Sequence, residues 1–254
     1  MLIGEASIMP ADVVGRIVVV IDVLRAASTV ATALSNGARA VYPFESVEET
    51  ARRGAEMDRD AVRMAGERRM VRIPGFDFGN SPLEFTRAAV AGRSVLYTTT
   101  NGTAALVATH GARECLFAAF INVSATIEAV HRAALAGSDV TVICAGTERR
   151  VALEDAVCAG RIVRSLLERD RGGAAAPVET SGAGPFADVV LSDSAHVAQT
   201  IERPYVASVA ALADDATHAR ALCAAGFRED VDYCLGIDTV PVAVGYKANC
   251  LELH

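Results

Sequence analysis

The sequence predicts an α/β fold, with a largely parallel or mixed sheet and flanking helices. Three observations carry that expectation. Apolar, strand-like runs alternate with helix-like segments along all 254 residues. The strand ends are unusually polar, as expected where α/β sheets bind ligands. One strand–helix–strand–helix order also occurs twice, which predicts two similar lobes within a single unit spanning residues 1–254.

The elements follow in order. Residues 17–21 read IVVVI, an unbroken β-branched run expected of a strand covered on both faces. Residues 26–34 are helical in character, and Gly37 supplies the stop. A short strand is expected at 40–42, and Ser46 opens a charged helix running from 47 to about 57. The second copy begins at Gly92-Arg93, as the first does at Gly15-Arg16, and each passes through a strand, a polar turn and an Ala-rich helix to Gly-Ala-Arg. Asp22 and Thr99 fall at the same offset from the opening glycine, and the repeats span about 15–57 and 92–135. Beyond them, 139–143 (DVTVI) predicts a strand and 153–167 a helix. The Gly/Ala/Pro-rich stretch 170–185 predicts a loop, 188–227 helix, and 233–237 with 240–244 two last strands.

Composition limits the function classes. Apolar residues make up 52% and charged residues 22%, enough for a packed core and too little charge for disorder. No apolar run approaches the ~20 residues of a membrane helix, and MLIGEASIMP lacks the layout of a signal peptide. A net charge of −7 argues against a nucleic-acid partner, which needs a basic surface. The six cysteines include no C-x-x-C pair, so free thiols in a reducing cytoplasm are expected.

Four strand-end segments carry candidate chemistry. In Asp22-Val23-Leu24-Arg25-Ala26-Ala27-Ser28-Thr29, Arg25 sits at a helix start, where the macrodipole disfavours a cation. A bound anion, with Ser28 and Thr29 as hydroxyl donors, removes the conflict; the alternative is Asp22 as helix cap and Arg25 in solvent. Thr98-Thr99-Thr100-Asn101-Gly102-Thr103 is richer in donors than a helix cap requires and suits an anion, although it lacks the P-loop lysine. In GFDFGNSPLE (75–84), Ser81, Pro82 and Glu84 read as a capping box, leaving Asn80 free to meet a ligand. Asp155 continues the apolar stripe of Ala159, Ile162 and Leu166, so its carboxylate points inward and needs a cation or a donor. Neighbouring Glu154 is explained by the helix dipole alone, and Glu67 on its own passes for a surface charge. Anion-friendly turns beside carboxylates together suggest a small anionic phosphorylated substrate bound with Mg²⁺. A competing C-x5-R spacing from Cys144 to Arg150 has Glu148 inside it, which would repel a phosphate dianion. None of the five histidines has metal-ligand spacing.

These segments, in this order, resemble the 2-phosphosulfolactate phosphatase family. The carrying motifs are IDVLRAAST (21–29), Gly66-Glu67-Arg68, GFDFGNSP (75–82), TTTNGT (98–103), CAG followed by LED-x-x-CAG (144–160), DVDYC (230–234) and VP (240–241). The resemblance implies Mg²⁺-dependent hydrolysis of (2R)-2-phospho-3-sulfolactate, a step towards coenzyme M, by an α/β protein that forms a homo-oligomer, expected to be a dimer. On the matching positions, Asp22, Glu67 and Asp155 would hold Mg²⁺ or position water. Arg25, Ser28, Thr29, Asn80, Thr99, Asn101, Gly102 and Thr103 would hold the anionic groups. Attack by water is preferred to an aspartyl-phosphate on Asp22, because Leu24 breaks the D-x-D pattern. A phosphatase acting on another hydroxy-acid ester, and a non-catalytic anion-binding module, are the alternatives.

Overall fold

The computed structural model describes residues 2–3, 8–148, 150–170, 185–186 and 188–254. Each of the two segments expected to repeat contains a strand, a helix, a strand and a helix in that order. The first is β2 (Ile17–Ile21), α1 (Ala26–Ser35), β3 (Ala40–Pro43) and α2 (Val47–Ala55). The second is β6 (Ser94–Thr98), α4 (Gly102–Val107), β7 (Glu114–Ala118) and α5 (Val123–Ala134). Between them lie β4 (Val62–Arg68), β5 (Val71–Arg72) and α3 (Arg87–Val90). After them come β8 (Val140–Cys144) and α6 (Leu153–Asp170), close to the expected bounds.

The strands form one mixed sheet in the order β1-β8-β2-β7-β9-β10-β3-β6-β4-β5, where β1 is Leu2–Ile3. Pairing is reciprocal between the copies: β2 lies parallel to β7, and β3 parallel to β6. The hairpin β9 (Val244–Lys247) and β10 (Cys250–Leu253) joins the two parallel halves antiparallel on both sides. The halves therefore run in opposite directions, yet Gly102 after β6 touches Asp22 after β2.

All of β2 is buried between β7 and β8, as its continuous apolar run predicts. The main core joins β2, β7 and β8 to α1, α5 and α6. A smaller cluster of Val62, Met64, Ile73, Phe76 and Leu96 sits under Val47 and Met57.

The C-terminal third departs from the sequence expectation. The helix expected over 188–227 is broken into α7 (Asp193–Glu202), α8 (Leu212–Asp215) and α9 (Thr217–Ala224). Pro204 cannot continue the first of these in ordinary α-helical bonding. The strand expected at 233–237 is instead the end of α10 (Arg228–Cys234), whose buried Asp230, Val231 and Cys234 have helical spacing. Of 240–244 only Val244 is strand. The hairpin turns at Ala248 and Asn249, both with positive φ, a turn signal that the strand expectation at 240–244 overlooked. Most of the loop expected at 170–185 lies outside the described residues.

Helix α6 is held in place by α7. Glu202 is fully buried and accepts from Arg164 Nε at 3.0 Å and Nη2 at 2.9 Å, with Arg161 Nε 3.7 Å away. Removing that acceptor leaves Arg161 without its counter-charge and Arg164 with only the exposed Glu168. Glu202→Ala is expected to lower unfolding stability by about 2–4 kcal/mol, read as a shift in the urea midpoint; a shift below about 0.5 kcal/mol would make the cluster a surface pair in effect.

Candidate active site

The strand ends converge on a cavity of about 370 Å³, within the range of small-molecule sites. Its lining includes Asp22, Arg25, Glu67, Arg68, Arg69, Asn80, Thr99, Thr100, Asn101, Glu148 and His218.

Asp22 ends β2 and is only 6% exposed. Its Oδ1 accepts from the Ala26 amide at 3.0 Å, so it caps α1 as the simpler alternative requires. Arg25 is not in solvent: it is 3% exposed, donates from Nη1 to Asp230 Oδ2 at 2.6 Å, and lies 4.4 Å from the Phe227 ring centroid. Asp230 also accepts from Ser81 Oγ at 2.6 Å. One buried carboxylate thus joins the start of α1, the Asn80-Ser81 turn and α10. The capping box expected at Ser81 does not form. Ser81 turns to Asp230, and Glu84 accepts from Gly79 N at 2.8 Å instead.

Several expected anion binders face other protein groups. Ser28 donates to the Val23 carbonyl at 2.9 Å and Thr29 to the Asn80 carbonyl at 3.0 Å, and neither lines the cavity. Asn80 reaches the cavity and accepts from Tyr97 OH. Thr103 Oγ1 lies 3.3 Å from the Thr99 amide and 3.4 Å from its hydroxyl, closing the 98–103 turn from behind. Gly102 is required by a close approach: a Cβ there would stand 2.7 Å from Asp22 Oδ2 and 2.9 Å from Ala26 Cβ.

The two remaining expected carboxylates bind backbone and side-chain donors. Glu67 Oε2 accepts from Met70 N at 2.8 Å, and Oε1 accepts from Thr100 N at 3.2 Å and Thr100 Oγ1 at 2.9 Å. It therefore joins the β4–β5 turn to the 98–103 turn. Asp155 Oδ1 accepts from Val23 N at 2.9 Å and Oδ2 from Gly146 N at 3.0 Å. Of the two partners its inward position allowed, it takes donors. Gly146 has φ +72°, and a Cβ there would lie 2.3 Å from the Arg150 carbonyl, so glycine is needed to present that amide.

Two groups escaped sequence reasoning. Glu154 is 1% exposed, and among the described residues its Oε2 has no hydrogen-bond partner. Burial, reinforced by Asp22, pushes its carboxyl up to about 7. Burial likewise raises Asp22 to about 6, and burial with the charges of Glu154 and Asp22 holds Asp155 well above the usual carboxylate range. His218, on α9, lines the cavity and hydrogen-bonds the Leu24 backbone; burial lowers its pKa, favouring the neutral ring. Helix dipole arguments explained Glu154 too easily, and no sequence spacing ties His218 to residue 24.

The cysteine alternative fails on burial. Cys144 is 1% exposed, and burial beside Asp155 drives its thiol well above the usual range, so the thiolate is suppressed. All six cysteines are free. Among the described residues no helix is long and apolar enough to cross a membrane.

The raised carboxylates set a pH dependence. Ionising Asp22 and Glu154 costs more in the fold than in the unfolded chain, whose ordinary values are 3.8 and 4.5. The native state holds the extra protons, so stability in EDTA falls as pH rises from about 4 through about 7. At pH 8 Glu154→Gln is expected to stabilise the protein by about 1–3 kcal/mol. Asp155→Asn, which turns an NH₂ towards a backbone amide, destabilises it by about 2 kcal/mol. Denaturant midpoints of the same sign for both variants would contradict this division of roles.

Comparison with known proteins agrees with the motifs. A family model described as 2-phosphosulpholactate phosphatase matches residues 5–249. A protein of Symbiobacterium thermophilum is 38% identical over 93% of this chain and 94% of its own length. Proteins of Clostridium beijerinckii (32%; 98% of both chains) and Thermotoga maritima (35%; 90% of this chain and 89% of its own) are also similar. All three are named probable 2-phosphosulfolactate phosphatase. A match over nearly the whole length, on the segments that line the cavity, shows that this chain belongs to the 2-phosphosulfolactate phosphatase family.

Proposed function

We propose that the protein hydrolyses (2R)-2-phospho-3-sulfolactate to 3-sulfolactate and phosphate with the help of Mg²⁺, the kind of step that serves coenzyme M synthesis. The names of its relatives support the substrate. The observation that carries the chemistry is that the fixed guanidinium of Arg25 lines one cavity with Asp22, whose carboxyl burial raises to about 6 next to the raised carboxyls of Glu154 and Asp155.

The donor chemistry suits a hard divalent ion. Asp22, Glu154 and Asp155 repel one another, and Glu154 Oε2 is unpartnered. Among the described residues no three ligating side chains converge into a ready cage. Mg²⁺ commonly takes only one or two carboxylates and completes its shell with water and substrate phosphate. Asp22 and Glu154 would hold it. Glu67 and Asp155, already hydrogen-bonded at both oxygens, orient the surrounding turns. The ion, when bound, neutralises phosphoryl charge.

The chain's own groups supply the rest. Arg25, with Asp230 fixing its direction, binds phosphoryl oxygen, and Thr99, Thr100 and Asn101 add donors. A neutral His218 takes a proton as water oxygen attacks phosphorus. The ester P–O bond breaks, and that proton goes to the leaving alkoxide. The same reading keeps the enzyme cytoplasmic and assembles it as a homo-oligomer.

Phosphate release from 2-phospho-3-sulfolactate is expected with Mg²⁺ and lost in EDTA. Asp22→Asn and His218→Gln each reduce kcat by about 10²–10⁴-fold, while thiol alkylation leaves turnover intact. Release that survives EDTA or fails on this ester overturns the assignment.

A further inference from the structure

Among the described residues, three arginines in different electrostatic states line the cavity. Arg25 is neutralised by Asp230 at 2.6 Å, so it contributes direction and little net attraction. Among the described residues Arg68 is held only by neutral acceptors: Nη1 donates to the Glu67 carbonyl at 2.8 Å, and Nη2 to Thr98 Oγ1 at 3.0 Å and the Glu45 carbonyl at 3.4 Å. Its side chain is thereby fixed and half-buried while its charge stays uncompensated. Arg69 is exposed, and among the described residues it has no hydrogen-bond or ion-pair partner, although it lines the cavity.

The backbone places this pair with care. Arg68 pairs with Val71, so Arg69 and Met70 form a two-residue hairpin turn. Their φ values are +51° and +67°, a conformation that asparagine or glycine adopts with least strain. Glu67 secures the turn through the Met70 amide. A long cationic side chain thus occupies a strained tip that lines the cavity.

We propose that Arg68 and Arg69 form a second anion subsite, which binds the sulfonate of the substrate and selects for it over esters that lack a second strong acid. This rests on the phosphatase reading and adds to it the residues that discriminate. The cavity already offers Arg25 and the 98–103 turn to the phosphoryl group, and among the described residues the uncompensated guanidiniums lining it lie on the hairpin, on a wall that also carries Glu67 and Glu148.

The test compares 2-phospho-3-sulfolactate with 2-phospholactate, in which the sulfonate is replaced by hydrogen. The variants are Arg69→Gln and Arg68→Lys, each checked for an unchanged thermal midpoint. The expected result is a fall in the sulfonate-to-phospholactate ratio of kcat/KM of about tenfold or more, mainly through KM for the sulfonate ester. Equal losses on both esters, or none, overturn the subsite while wild-type phosphate release leaves the activity standing. If the wild type hydrolyses neither ester, the activity falls and calorimetric binding of 3-sulfolactate decides the subsite: weaker binding in the variants supports it, and unchanged or absent binding overturns it.

Discussion

The buried pair of Arg25 and Asp230 is the contact on which the cavity depends. Taking two charges out of water costs several kcal/mol each, and a good hydrogen bond alone rarely offsets that. Here the pair gains the Phe227 face and the Ser81 hydroxyl as well. The result is a guanidinium that cannot rotate away and three chain segments that cannot separate. Such an arrangement adds little to stability compared with apolar packing, which makes sense if its use is to hold one direction for an incoming anion.

A second constraint comes from the carboxylates. Asp155 uses both oxygens on the Val23 and Gly146 amides and so links the turns after β2 and β8. Its neighbour Glu154 has no such outlet, and Asp22 lies within reach of its charge. The cluster is costly in the absence of a counter-charge, and Asp22 connects it to the wall of the cavity. A stable core surrounds it: β2 is wholly buried, and α6 is anchored from behind by Glu202. Rigid strands and a clamped helix allow a strained site to persist.

Much of the architecture was legible in the residues. The β-branched run of β2, the caps and stops of α1 and α2, and the doubled element order all depend on neighbours in sequence. Local rules read them well. The errors cluster where tertiary contact overrides local pattern. DVDYC has apolar and aromatic residues that suit a strand, but Asp230 must face Arg25 while Val231 and Cys234 face the core, and helical spacing meets both demands. Ser81, Pro82 and Glu84 have the spacing of a capping box, yet a buried carboxylate from residue 230 competes for the serine.

The sequence alone determined the fold class, the polar strand ends and the list of segments that meet, because burial of apolar faces forces strand ends to one side of their helices. It named Asp22, Arg25 and the 98–103 turn as cavity residues. Only the tertiary structure decided which polar atoms are free. Ser28, Thr29, Glu67 and Asp155 bind the protein itself, whereas Glu154 Oε2 and the Arg69 guanidinium find no partner among the described residues. Hydrogen-bond satisfaction is a property of pairs, and the pairs here span from three to more than two hundred residues of chain. No pattern along the sequence contains that information.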